Sequence, residues 1–240
     1  MNAAYNFARS AGRLPPLLAV VAGMVDVIGY FSLGNLFTAH VTGNIVVIAA
    51  LLVRGGTPNA SQVLAVPVFI VAVAVVWLMA KAFVRRGPAL LRPLLLLQFL
   101  LLSCVLILGV AFNLAANPNG LMASVAAVFA TSAMACQFAL LRLAVPGAPS
   151  TAVMTGNLTN TVLSLLETLS PNRPLMTRDD ERLTRTATLV IGFFGGCVAG
   201  ATAVSFLGDW SWSLPAVLAG AAVALRHGAF GDDQDDAPAP

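Results

Sequence analysis

Long hydrophobic runs, separated by turn residues and short charged stretches, dominate the pattern of the chain. Four of these runs contain no charged residue, at 63–80, 93–116, 121–141 and 187–207. Each is long enough for an α-helix across a hydrocarbon core of roughly 30 Å, which takes about 20 residues. The pattern therefore predicts an all-α membrane protein, built as a polytopic helical bundle.

The apolar pattern divides into eight segments: 15–33, 34–53, 62–84, 92–113, 121–143, 150–169, 186–207 and 210–226. If all eight crossed the membrane, basic clusters would lie on both sides, against the tendency of Lys and Arg to stay in the cytoplasm. If the second and sixth segments do not cross, the basic clusters gather on one side. We therefore predict about six transmembrane helices, two broken or re-entrant segments, and both termini in the cytoplasm.

The tripeptide Thr-Gly-Asn (TGN) occurs once in each of these two segments, at 42–44 and 155–157. Two halves with an odd number of crossings must have opposite orientations, as in the inverted repeats of many transporters. This divides the chain into an N-terminal cytoplasmic segment at 1–14, a first membrane repeat at 15–116, a second at 117–226, and a disordered acidic tail at 227–240. Chance recurrence of a tripeptide is the alternative.

The amino-acid composition also indicates a membrane protein and not a soluble domain. The chain is 58% hydrophobic and 10% charged, whereas a soluble domain usually carries about 25% charged residues. The net charge is +3 although the last ten residues contain four Asp, so the rest of the surface is more basic. This surplus predicts contact with membrane lipids and excludes nucleic acid as the expected partner.

Each TGN motif combines a glycine suited to a helix break with a hydroxyl and an amide that can cap the following helix. These candidate residues are Thr42, Gly43, Asn44, Thr155, Gly156 and Asn157. A broken helix in lipid is tolerated only where protein buries it or where it lines a watery cavity, and its free N–H groups then attract polar ligands. The alternative is a small-residue notch for close helix packing.

Three polar neighbours sharpen the functional hypothesis. Asp26 lies well inside the first apolar segment, where a carboxylate is costly and usually faces a cavity or a partner. His40 could pair with it and titrate near neutrality. Gln137 holds a broadly similar place in the second half. The hypothesis is one pseudo-symmetric cavity lined by Asp26, His40, Asn44, Gln137 and Asn157. For Asp26, the alternatives are a helix-end acid at the membrane interface and an acid satisfied by backbone donors.

Two further features predict architecture. Gln98, inside its own helix, predicts a hydrogen bond between helices. Gly192, Gly196 and Gly200 form a small-xxx-small face, on which helix backbones can touch. The sequence leaves open whether this face serves internal packing or a homo-oligomer.

Two stretches, AGMVDVIGYFSLGNLFTAHVTGN and QFALLRLAVPGAPSTAVMTGNLTN, resemble the bacterial YoaK family, also called the DUF1275 family, and the likeness covers nearly the whole chain. The family pattern is G-x-x-D, a Phe-containing stretch ending in TGN, and a second T-G-x-L-T. The matching residues here are Gly23, Asp26, Thr42, Gly43, Asn44, Thr155, Gly156, Leu158 and Thr159. Phe138 departs from it, because many members have Asn there. The resemblance implies a multi-pass protein of the bacterial inner membrane, of uncharacterised biochemistry and sometimes described as a small-molecule transporter.

These features are compared with three classes of function. The first is a secondary transporter of a small polar solute, in which Asp26 binds a proton or cation and the TGN backbone holds the solute. The second is a non-transporting scaffold or lipid-binding protein. An enzyme is not expected, because the chain has two His residues and no nucleophile or metal-ligand motif. No cofactor is expected either.

Overall fold

The computed structural model describes residues 2–82, 88–145, 147–151, 153–169 and 178–227. Over these residues the fold consists of α-helices joined by turns and by two short 3-10 segments. The helices are α1 (Asn2–Ser32), α2 (Gly43–Val53), α3 (Ala60–Ala82), α4 (Pro88–Phe112), α5 (Leu121–Ala144), α6 (Met154–Leu169), α7 (Arg178–Leu207) and α8 (Ser213–His227). The all-α prediction is confirmed. The predicted tail at 227–240 lies outside the described residues, apart from His227.

Five stretches within the described residues are long and apolar enough to cross a membrane. They are Arg13–Ser32, Ala60–Ala82, Leu90–Phe112, Leu121–Ala144 and Glu181–Leu225. The last contains 45 residues and includes both α7 and α8, which the 3-10 segment Gly208–Trp212 separates. At 1.5 Å per residue this run is about 67 Å long, twice the thickness of a hydrocarbon core. The chain is thus a polytopic helical membrane protein with five candidate spans among the described residues, and the count of six crossings stays a prediction.

Helix neighbours follow a regular scheme. α1 packs on α7 and α8, α5 packs on α3 and α4, α2 lies against α3, and α6 lies against α7. If α1, α2, α3 and α4 are exchanged with α5, α6, α7 and α8, respectively, each of these pairs becomes another pair of the same scheme. The pair α1–α7 becomes α5–α3, α8–α1 becomes α4–α5, and α2–α3 becomes α6–α7. Two homologous halves would produce this scheme. The inverted repeat stays a prediction, which the scheme supports.

The closest contact between helices joins α1 and α7 through glycine. A Cβ atom on Gly196 would overlap the backbone carbonyl of Val20, and one on Gly23 would overlap the carbonyl of Phe193. Gly200 would place its Cβ only 3.1 Å from Cα of Met24. The glycine face predicted from 192–200 therefore serves packing within the chain, where only glycine permits such an approach.

α5 is largely enclosed by other helices, and its buried surface is mostly alanine. Its buried alanines are Ala123, Ala126, Ala127, Ala130, Ala133, Ala135, Ala139 and Ala144. Small side chains allow α3 and α4 to approach its backbone closely. Large apolar side chains instead remain exposed on the outer faces, among them Ile70, Trp77, Ile191 and Phe194. In a membrane these side chains contact lipid.

Candidate functional site

The first TGN segment folds back on the helix that precedes it. The chain reverses after α1 at Gly34 and Asn35, whose φ angles are +76° and +56°. Farther on, just before α3, Nδ2 of Asn59 donates to the carbonyl oxygen of Gly34 at 3.1 Å. The segment thus leaves and returns at the same end of α1, as predicted for a re-entrant segment.

Asp26 fastens the returning chain to α1. Its side chain is buried, with 3% of the residue exposed. Oδ1 accepts hydrogen bonds from the backbone N–H groups of Thr38 and Ala39 at 2.8 and 2.6 Å, and Oδ2 accepts one from that of His40 at 3.2 Å. Three consecutive backbone amides therefore converge on one carboxylate, which satisfies charge and amides together. The alternative of an acid satisfied by backbone donors describes Asp26 correctly.

His40 extends this arrangement toward the protein surface. Its Nδ1 lies 2.6 Å from Oδ2 of Asp26, and its side chain is 36% exposed while that of Asp26 is 5% exposed. Its ring stands edge-on to Phe193 of α7, with the ring centres 5.0 Å apart. The hydrogen bond and the negative charge of Asp26 raise the pKa of His40, although partial burial opposes them. The predicted Asp26–His40 pair is formed.

Asn44 is fully buried, and its side-chain amide forms hydrogen bonds with backbone groups as another peptide group would. Its Oδ1 accepts from the N–H of Phe37 at 2.9 Å, while Nδ2 donates to the carbonyls of Phe37 at 2.7 Å and Val41 at 3.0 Å. The prediction that this motif caps the following helix is wrong. Thr42 occupies the N-cap of α2 without a side-chain capping bond, and the amide of Asn44 is bonded to the turn before the helix. Gly43 lies against the Phe37 ring, where a Cβ would be 3.3 Å away.

The second TGN segment is attached through Gln137 of α5. This side chain is fully buried. Its Oε1 accepts from Nε2 of Gln98 at 2.7 Å, and its Nε2 donates to the carbonyl of Leu18 at 2.9 Å and to Oγ1 of Thr151 at 3.2 Å. One amide thus joins α4, α1 and the returning turn. The interhelical hydrogen bond predicted for Gln98 is confirmed.

Asn157 repeats part of the contact that Asn44 makes. It is 6% exposed, and its Nδ2 donates to the carbonyl of Ser150 at 2.8 Å. Ser150 precedes it by seven residues, the same separation as between Phe37 and Asn44. Thr155 and Gly156 lie in the first turn of α6 with it. Both TGN asparagines therefore hold the chain that leads into their helix.

The structure reveals a longer repeat than TGN. Residues 34–44 and 147–157 share the pattern G-x-x-x-T-A-x-x-T-G-N. Gly34 and Gly147, at its start, both have positive φ, +76° and +79°. Thr38 and Thr151, at its fifth position, each contact a buried polar side chain of the preceding helix. Aligning the residues before each TGN would have shown this pattern in the sequence.

The candidate residues form two separate groups. Asp26, His40 and Asn44 hold the first segment, and Gln137 and Asn157 hold the second. Across the described residues no hydrogen bond joins the first group to the second. Asn157 lines a cleft of about 620 Å³ together with Gly156. A single cavity for all five side chains, and their binding role, stay predictions.

Metal binding finds no ready site in these groups. Within the described ranges, no cluster of three or more His, Cys, Asp or Glu side chains is arranged to hold a metal ion.

Apolar spans, buried polar anchors and a re-entrant segment place the chain among polytopic α-helical membrane proteins. Within that class it belongs to the DUF1275 family, whose model, described as "Protein of unknown function (DUF1275)", matches residues 14–225. A stretch of 32 residues is 66% identical to the UPF0700 transmembrane protein YoaK of Bacillus subtilis (strain 168). That match spans 13% of this chain and 14% of the relative. No solved structure matches the chain.

Proposed function

We propose that the protein is a secondary transporter of a small polar solute across the bacterial inner membrane. The observation that carries the proposal is the pair of TGN segments, each tied to the preceding helix by a buried polar side chain. Interrupted helices at matching places of two halves are typical of secondary transporters, whose sites lie at those interruptions. The pairs of contacting helices, which are preserved when α1–α4 are exchanged with α5–α8, support the presence of two corresponding halves.

Asp26 and His40 supply the coupling in this proposal. His40 is the partly exposed member of the pair, so protons reach Asp26 through its ring. Exchange of the proton shared by His40 and Asp26 changes the charge that faces the amides of residues 38–40 and so the strength of those hydrogen bonds. The first TGN segment is held to α1 in one charge state and loosened in the other, which links proton exchange to the opening of a path.

The test begins with finding a solute. Purified protein in detergent is heated with small metabolites and ions over a range of pH, because a ligand of the folded state raises apparent stability. Flux of each stabilising solute is then measured in proteoliposomes with and without a pH gradient. Asp26→Asn is expected to abolish gradient-driven flux while the protein remains folded. The matched control is Glu167→Gln, an exposed acid on α6.

Two results contradict the proposal. Wild-type coupled flux in a folded Asp26→Asn variant removes the coupling mechanism. Stabilising solutes that wild-type protein never moves remove the carrier itself.

A second candidate is a non-transporting membrane scaffold or lipid-binding protein. The observation in its favour is that Asp26 and Asn44 direct their hydrogen bonds to the protein's own backbone. On this view both residues are anchors of the fold. It predicts that no small solute stabilises the protein, and that substitutions in TGN change its stability alone.

A further inference from the structure

A cleft of about 620 Å³ lies beside the second TGN motif. Its walls are the end of α5, the turn that follows, the first turns of α6 and the start of α7. Three lining side chains, Arg142, Arg182 and Arg185, are basic, and one, Glu181, is acidic. The volume lies in the range of small-molecule sites, about 300–1,000 Å³. We call this the arginine cleft.

The described side chains that line the arginine cleft carry more positive than negative charge. Glu181 pairs with Arg185 at 3.2 Å, one helical turn away, and both side chains are exposed. Arg182 donates to Oδ1 of Asn160 at 2.6 Å, and this acceptor carries no charge. Arg142 has no acidic partner among the side chains that the structure describes. Among the lining side chains that the structure describes, three guanidinium groups face one carboxylate, an excess of two positive charges.

The start of α6 adds to this field. Gly156 and Asn157 belong to its first turn and line the cleft. A helix start carries partial positive charge and unpaired N–H groups, which favour anions. The arginines nevertheless carry the argument, since many helix starts hold no ligand.

Comparison with the first TGN segment shows that the fold of such a segment does not by itself require the arginines of the cleft. Three residues after the TGN asparagine, the first segment has Val47 where the second has Asn160. α2, which follows the first motif, contains no charged residue over Gly43–Val53. The two segments share their backbone contacts, but only the second has gathered arginines. Chain reversal and anchoring thus do not require the arginine cleft.

An apolar pocket of about 410 Å³ adjoins the arginine cleft. It shares Arg142, Ala148, Ser150 and Val153 with the cleft, and its other walls include Trp77, Phe138 and Leu141. An anionic group in the cleft could therefore extend an apolar portion toward the helix surface. A free organic anion and the headgroup of an anionic lipid both have this chemistry.

We infer that the arginine cleft binds the phosphate or carboxylate group of an anionic ligand. The inference rests on the proposed function in one respect, because Gly156 and Asn157 belong to both sites. Binding is measured without transport, so the two can fail separately.

The experiment uses the purified full-length chain in nonionic detergent. Inorganic phosphate is titrated at constant ionic strength, and the thermal midpoint of unfolding is followed. A parallel arm compares nanodiscs of phosphatidylcholine alone with nanodiscs that also contain phosphatidylglycerol. A rise in the midpoint with phosphate indicates a free anion, and a rise only with phosphatidylglycerol indicates a lipid headgroup. No rise in either arm overturns the inference.

Two variants locate the binding. Asn160→Asp keeps an acceptor for Arg182 and adds a negative charge to the cleft, so the fold is retained while the anion is repelled. Arg142→Gln removes a guanidinium that makes no described ion pair. Each is expected to weaken binding by about tenfold or more. The control is Arg54→Gln, an exposed arginine at the end of α2, which should bind as wild type does.

Wild-type affinity in both Asn160→Asp and Arg142→Gln overturns the inference. A protein that binds phosphate in the arginine cleft and moves no solute contradicts the carrier and leaves the cleft intact. Flux of a neutral solute that persists in both variants separates the cleft from the transport route and keeps it as an anion site.

Discussion

Nδ1 of His40 lies 2.6 Å from Oδ2 of Asp26, although the two residues are fourteen positions apart. The contact exists because the chain reverses at Gly34 and returns along α1 as far as Asp26. It places a titratable ring between a buried carboxylate and the surface. A local pair of this kind makes stability depend on pH.

The first prediction concerns that pH dependence. The folded protein raises the pKa of His40 above its ordinary value of 6.5, chiefly through the hydrogen bond to Asp26. The charged pair therefore stabilises the fold fully below pH 6.5, and this contribution is lost as pH rises through the higher folded pKa. We expect the thermal midpoint to fall over that interval in wild type and to stay flatter in His40→Gln. His227→Gln is the control, and an unchanged slope in His40→Gln would refute the assignment.

The second prediction compares the two TGN asparagines. Asn44 makes three hydrogen bonds to backbone groups and is fully buried, whereas Asn157 makes one to backbone. Asn44→Ala should cost about 2–3 kcal/mol in unfolding free energy, and Asn157→Ala about 1 kcal/mol. Denaturant titration of the purified variants measures both. Equal losses would show that the contact to Phe37 does not hold the first segment.

The third prediction uses adjacent glycines of α7. A methyl group on Gly196 would meet the carbonyl of Val20, while one on Gly195 would meet no atom within 4 Å. Gly196→Ala should therefore destabilise the protein by about 1–3 kcal/mol by forcing α1 and α7 apart. Gly195→Ala should be neutral or slightly stabilising, because alanine favours the helix. The thermal midpoints of unfolding of the two variants test this prediction. A Gly196→Ala variant as stable as Gly195→Ala would refute the close packing of α1 on α7.

The fourth prediction tests topology by labelling single cysteines in intact cells. The background carries alanine at Cys104, Cys136 and Cys197. Thr57→Cys, between α2 and α3, and Pro118→Cys, between α4 and α5, should react with a membrane-impermeant maleimide. Gly87→Cys should react only after the cells are opened; position 87 lies outside the described residues. Labelling of Gly87→Cys in intact cells would overturn the six-crossing topology.

The fold class was predictable because it depends on the length of the uncharged hydrophobic runs and not on particular contacts. The runs without charge are long enough to fix helix type and membrane class before any contact is known. The meeting of Asp26 and His40 was also predictable, since few polar side chains lie nearby in the sequence. The glycine face was predicted as a packing surface, but its partner α1 is far away in the sequence.

Other features depend on where the chain turns and were not predictable. Asn44 bonds to Phe37 because Gly34 sends the chain back along α1, so the expected capping of α2 does not occur. The arginine cleft was missed for a similar reason. Arg182 lies near the start of α7, 22 residues beyond Asn160, and only the packing of α6 on α7 brings the two side chains together.

The glycine contact between α1 and α7 limits how the molecule can move. Backbone lies on backbone at Gly23 and Gly196, so no rotamer change can let one helix slide past the other. The two helices are thereby fixed against each other, and α5 packs on α3 at the matching place. Between these two pairs, the hydrogen bond from Gln137 to the carbonyl of Leu18 joins α5 to α1.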